Sequence, residues 1–153
     1  MTTLKKQLPL LNTILAVLCL LMLILQFLPF WNDGETVCSM QEMLWFPNDQ
    51  NGIPGYISEQ TGISFNIDSV VWLTLVTFIT SIFGAIFSLT KNASGWPAVF
   101  PAVGGFCAVW NYLSRAALQL GNIWGLHLAV GICQCLLGVS VLLLSYLNAR
   151  KEC

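Results

Sequence analysis

Four long apolar runs, at about residues 8–30, 69–90, 96–120 and 122–147, fill most of the chain. At about 1.5 Å of rise per residue, each is long enough to cross the roughly 30 Å hydrocarbon core of a bilayer as an α-helix. Only Asn12, Thr13 and Gln26 place polar groups in the first run, and the second contains no charge. The third carries Pro97, Pro101, Gly104 and Gly105 near its start. The fourth is long enough to tilt. Gly121-Asn122 lies between the last two, a turn dipeptide that predicts a tight antiparallel hairpin. The expected fold is all-α: a polytopic membrane protein with a single domain over residues 1–153. It has four transmembrane helices and a compact extracytoplasmic loop, residues 31–68, between the first two.

Composition supports lipid as the solvent. The 153 residues are 56% apolar and 8% charged, against about 25% charged in soluble domains. A net charge of −1 with no basic patch gives nucleic acid nothing to bind. Charge is also unevenly placed. Asp33, Glu35, Glu42, Asp49, Glu59 and Asp68 all fall between the first two runs, where there is no Lys or Arg. Lys5, Lys6, Lys91, Arg150 and Lys151 fall at the amino terminus, the second connection and the carboxy terminus. Four spans put those three segments on one side, which the positive-inside rule makes cytoplasmic. The expected location is a plasma membrane with both termini inside and loop 31–68 outside. Lys5 and Lys6 before an apolar run also fit a signal peptide, but the run is long for one and no small-x-small cleavage site follows. An uncleaved first helix is expected.

The loop is too apolar for a disordered linker. Trp31, Trp45, Phe46 and Tyr56 stand out in it, and turn signals recur at Asn32-Asp33-Gly34, Asn51-Gly52 and Pro54-Gly55. A compact cap is expected, with a helical turn or strand at about residues 36–46 and a hairpin near Asn51-Gly52. Its aromatic residues suit either the membrane interface or a docking surface for a partner.

Candidate chemistry gathers in the last two runs. Asn111, Arg115 and Gln119 are spaced i, i+4, i+8 and share one helical face. His127 and Gln134, seven apart, share another. Arg115 and His127 are each six residues from Gly121, which puts them at similar depth, about 9 Å below the turn. Polar groups in lipid are costly, so these side chains are expected to face one another or a wet cavity. As a pocket, they would offer a fixed positive charge, a titratable ring and hydrogen bonds to an anion or lipid headgroup. As structure, Arg115 would snorkel outward or pair with Asp68 at the start of the second helix.

Other chemistries find little support. Cys133 and Cys135, two residues apart on a helix, are rotated by about 200° and cannot readily bridge. Cys38 is alone in the loop, so no disulfide scaffold forms. One histidine and scattered cysteines provide no metal-ligand spacing, and no cofactor is expected. No nucleophile–base set or carboxylate pair lies within a run, which argues against an enzyme and leaves the catalytic assignment empty. Thr77, Ser81, Gly84, Ala85 and Ser88, and likewise Gly104, Gly105 and Ala108, form small-residue faces suited to close helix packing within or between chains.

The layout resembles that of claudin-like tetraspan proteins, with Trp31 after the first helix and Leu44-Trp45 in a large first loop. Met43 stands where that family has glycine, and Cys38 has no partner cysteine, so no family is assigned. The expected function is non-enzymatic: an accessory or assembly-forming membrane protein acting through its outer loop and helix faces. Its expected partners are lipids and either itself or another membrane protein. The alternative is a small transporter or channel using the polar pocket.

Overall fold

The structure is a computed structural model that describes residues 3–32, 37–45, 67–114 and 122–152. Helix α1 spans Thr3–Phe27 and stops three residues short of the expected boundary at residue 30. Pro29 causes the early stop. A proline pushes the preceding residue out of the α region, which releases Leu28 from the helix. It also has no N–H to offer the Leu25 carbonyl, the acceptor four residues back. Leu28 N–H makes a tighter bond to that carbonyl at 3.2 Å instead.

The chain then forms a small ribbon. Strand β1, Pro29–Asn32, pairs antiparallel with β2, Val37–Ser39. Helix α2, Met40–Trp45, follows at once. Ser39 and Glu42 make its capping box: Glu42 N–H donates to Ser39 Oγ at 3.3 Å, and Ser39 N–H donates to the Glu42 carboxylate at 2.6 Å. The segment expected to hold a helical turn or a strand therefore holds both. The hairpin expected near Asn51-Gly52 lies outside the described residues.

Helix α3 is Ile67–Thr90. The third apolar run is not one continuous helix. It opens with a 3₁₀ turn at Trp96–Ala98, begun by Gly95 and Pro97, and continues as α4, Val99–Leu113. Residues 115–120 lie outside the described residues. Helix α5, Asn122–Glu152, runs past the expected end at residue 147, and Arg150 sits 5.5 Å over the Tyr146 ring in that added turn. Among the described residues, three stretches are long and apolar enough to cross a membrane: Gln7–Phe27, Ser69–Thr90 and Gly125–Arg150. As described, α4 has 15 residues, or about 22 Å of helix.

Helix α1 packs on α3 and α5, and α4 packs on the same two, closing a ring. Neighbours run antiparallel. Asn12, near the start of α1, donates to the Asn92 and Ser94 carbonyls beyond α3, while Leu25, near its end, meets His127 of α5. One end of the ring therefore carries the ribbon and α2. The other carries the start of α1, residues 91–95 and the last turns of α5.

Buried positions follow a step of three and four residues in every helix. The stripe runs through Leu8, Asn12, Leu15, Cys19, Met22 and Gln26 in α1, with Ala16 and Leu25 buried beside it, and through Val70, Thr74, Thr77, Ser81, Gly84 and Ser88 in α3, with Ala85 beside it. Pro101, Gly104, Ala108 and Asn111 continue the pattern in α4, and His127, Gly131, Gln134, Gly138 and Val141 in α5. A 3.5-residue period is that of left-handed helix packing. Most of what occupies it is small or polar, with Leu8, Leu15 and Met22 of α1 the large apolar members. The large aliphatic and aromatic side chains point outward, among them Ile14, Ile24, Trp72, Phe83, Phe106 and Leu136. Water would oppose such an exterior, and lipid matches it.

Glycine sets the closest approach. A Cβ on Gly105 would lie 2.5 Å from the Gly131 carbonyl oxygen and 2.6 Å from Cys135 N, backbone atoms that cannot yield by rotation. Gly138 stands equally close to Ala98 and Ala102. The small-residue face of α4 is thus occupied within one chain. Gly105→Ala is expected to lower unfolding stability in bicelles by about 1–3 kcal/mol, the cost of overpacking. Gly125→Ala, where nothing lies within 4 Å of the added carbon, is expected to change it by less than about 0.5 kcal/mol.

Candidate functional site

Beneath α2, the ends of four helices converge on a polar cavity. Gln26 of α1, Met40 of α2, Thr74 and Thr77 of α3, Ala108, Asn111 and Tyr112 of α4, and His127 of α5 line it. Its volume is about 10 Å³.

His127 is placed here by the break at Pro29. The Leu25 carbonyl, lacking the N–H that residue 29 would have supplied, accepts a hydrogen bond from His127 Nε2 at 3.0 Å. A carbonyl only accepts, so Nε2 carries the proton. The ring closes the carboxy end of α1 from across the interface.

A second chain of bonds ties α2 to the ring. Trp45 Nε1 donates to Gln41 Oε1 at 3.0 Å, and Gln41 Nε2 donates to Gln26 Oε1 at 2.8 Å. A third runs from Asn111 Nδ2 to Thr74 Oγ1 at 3.4 Å and on from Thr74 to Met40 Sδ at 3.7 Å. Sulfur is a weak acceptor, so this last link contributes little beside packing. Thr77 donates chiefly to the Leu73 carbonyl of its own helix at 2.8 Å, with the Gly104 carbonyl of α4 further off at 3.5 Å.

Of the residues singled out in the sequence, Asn111 and His127 line the cavity. Gln134 does not. It lies one heptad below His127, about 10 Å along the helix axis, with its Nε2 donating to Cys19 Sγ at 3.6 Å. Its Oε1 has no partner among the described residues. His127 and Gln134 share one face of α5 at different depths, and only His127 reaches the cavity. Arg115, Gln119, Phe46 and Tyr56 lie outside the described residues, as does the Trp31 side chain, although Trp31 is in β1. Asp68 is in the first turn of α3, its side chain undescribed. Trp45 is 65% exposed at the end of α2.

Gln26, Gln41, Met40, Thr74 and Thr77 went unrecognised as site residues. Two signals point to them in the sequence. Asn12, Cys19 and Gln26 recur at seven-residue intervals, which places them on one stripe. Ser39-Met40-Gln41-Glu42 has the Ser-x-x-Glu spacing of a capping box, which fixes where α2 begins and which residues it turns inward.

The polar residues recur in layers. Gln26, Thr74, Asn111 and His127 form the layer at the α2 end. Cys19, Ser81, Gly104 and Gln134 stand seven residues further in, and Asn12, Ser88, Pro97 and Val141 seven beyond those. Leu15 and Met22, both fully buried, separate the layers on α1.

Among the described residues, no Asp, Glu, Lys or Arg lines the cavity. No group of three or more metal-ligating side chains occurs among the described residues. No family model, curated protein or solved structure matches the chain. Fold and site together define a helical membrane protein with a small polar cavity at one end of its core.

His127→Phe keeps the ring's bulk but removes the donor to Leu25, and is expected to cost about 1–3 kcal/mol of unfolding stability. Gln134→Met, which removes an oxygen without a partner among the described residues together with a weak bond to Cys19 Sγ, is expected to be neutral or stabilising. Equilibrium unfolding of both variants in bicelles checks the pair.

Proposed function

We propose that this chain is a four-span bundle of the plasma membrane, with both termini in the cytoplasm and residues 31–68 outside. It acts there as a non-enzymatic assembly or accessory protein. The orientation is supported by Lys91 and Arg150, which belong to the end of the ring opposite α2, while the acidic residues concentrate between the first two helices. The observation that carries the functional reading is the use made of the polar core. Its hydrogen bonds go to helix ends and to α2, which holds an outer cap in place and presents Trp45 to the surroundings. A cavity of about 10 Å³ has no room for a substrate. An exposed, hydrogen-bonded indole on a fixed cap is the kind of aromatic anchor that dominates protein interfaces.

The small-residue face of α4 is engaged within the chain, so contacts with a second copy or another membrane protein fall to the cap and the outward aliphatic faces. The alternative is a small transporter or channel. It draws on the three polar layers and on Arg115, a charge within six residues of the cavity's depth by sequence, but Leu15 and Met22 divide those layers. Arg115→Gln, folded but unable to support flux in liposomes, would establish that alternative.

Native mass spectrometry of protein released from nanodiscs tests the assembly reading. A discrete homo-oligomer or a co-purifying membrane protein is expected. A monomer retaining a small anion or one specific lipid would contradict it. Trp45→Ala, with helix content unchanged by circular dichroism, is expected to reduce the assembled fraction about tenfold or more.

A further inference from the structure

Trp45 fixes the chemistry of the cavity below it. An indole N–H only donates, so the Gln41 atom it meets is the carbonyl oxygen. Gln41 therefore offers its nitrogen to Gln26, and Gln26 answers with its oxygen. One indole thus sets the orientation of both amides, which distance alone would leave open. Gln26 Nε2 is what remains. It is buried in a side chain only 1% exposed, carries two N–H groups, and has no partner among the described residues. A buried donor without an acceptor costs about 1–3 kcal/mol, and lipid supplies no remedy.

Gln26 lines the cavity together with Thr74 and Thr77. Both threonine hydroxyl protons are already directed, to Met40 Sδ and to the Leu73 carbonyl. Their oxygens keep lone pairs that can accept. A residue with an unpartnered donor and two with spare acceptor capacity thus border one cavity of about 10 Å³. A water molecule needs about 10–15 Å³ measured in this way, with two to four polar partners.

We propose that this cavity is a binding site for one water molecule, which accepts from Gln26 Nε2 and donates to the threonine hydroxyls of α3. The volume rules out a lipid headgroup or a polyatomic anion. A halide ion is the other small occupant able to accept from an amide, but it cannot donate to the threonine oxygens, whereas water both accepts and donates. The water joins α1 to α3 directly beneath the bond that holds α2.

A crystal structure of the full chain grown in a lipid mesophase, with a parallel bromide soak, tests the site. The expected result is a single spherical peak about 2.7–3.2 Å from Gln26 Nε2, without anomalous signal after bromide. An empty cavity would overturn the proposal, and so would bromide at that position. Gln26→Met keeps the length of the side chain and removes the amide, so the peak should disappear. An undiminished peak in that variant would overturn the proposal too. Should Gln26→Met not fold, water-edited solid-state NMR of the wild type in nanodiscs gives the same answer. Magnetisation transfer from water to the Gln26 side-chain amide protons is expected, and its absence contradicts the site.

Discussion

Lipid is as apolar as leucine, so the outward side chains of this protein gain nothing by turning inward, and the helices must be held together by other means. Two are visible. Backbones approach until only glycine and alanine fit, as where Gly105 meets Gly131 and Gly138 meets Ala98 and Ala102. Dispersion then accumulates over many close contacts, each worth only about 0.1–0.2 kcal/mol. Polar side chains, costly in hydrocarbon, find partners across the interface: His127 on Leu25, Asn111 on Thr74, Gln134 on Cys19.

The polar layers also set register. A seam of leucines alone slides by one layer, three or four residues, at little cost. A buried amide or imidazole does not, because a slip strands it in an apolar layer. Here the layers through Gln26, Cys19 and Asn12 alternate with Met22 and Leu15, so a slip of one layer would set polar against apolar along α1. Asn12 adds a bond at the far end, where it holds the carbonyls of Asn92 and Ser94 and so fixes the turn between α3 and α4. At the near end, Pro29 withholds one donor from the Leu25 carbonyl, which Leu28 N–H and His127 then share. One residue thus ends a helix, opens the ribbon and creates the acceptor that orients α5.

Much of this was legible in the sequence. The apolar runs located the long helices, and the glycines and serines of α3 and α4 marked the packing faces. The end of α1 was missed because hydropathy continues through Pro29, and only backbone chemistry reveals the break. The 3₁₀ opening of the third run was missed for the same reason, since Trp96 and Pro97 are as apolar as the helix that follows. In the candidate site, Asn111 and His127 were found because each lies on a polar stripe next to the Gly121 turn. Gln134 was grouped with them because a helical stripe records direction and not depth. Gln26 and Thr74 escaped notice because a lone amide or hydroxyl in an apolar run reads as an interruption until its seven-residue recurrence is counted.

The account rests on a core of small and polar residues enclosed by a lipid-facing apolar surface, and oxygen accessibility of spin labels placed singly along α3 tests this most directly. Molecular oxygen partitions into hydrocarbon, so labels at positions 72, 79, 83 and 86 should relax fast, and those at 74, 77, 81 and 88 should be protected, with a period near 3.5 residues. A flat profile, or maxima at Thr77 and Ser81 with minima at Trp72 and Ile79, would contradict it.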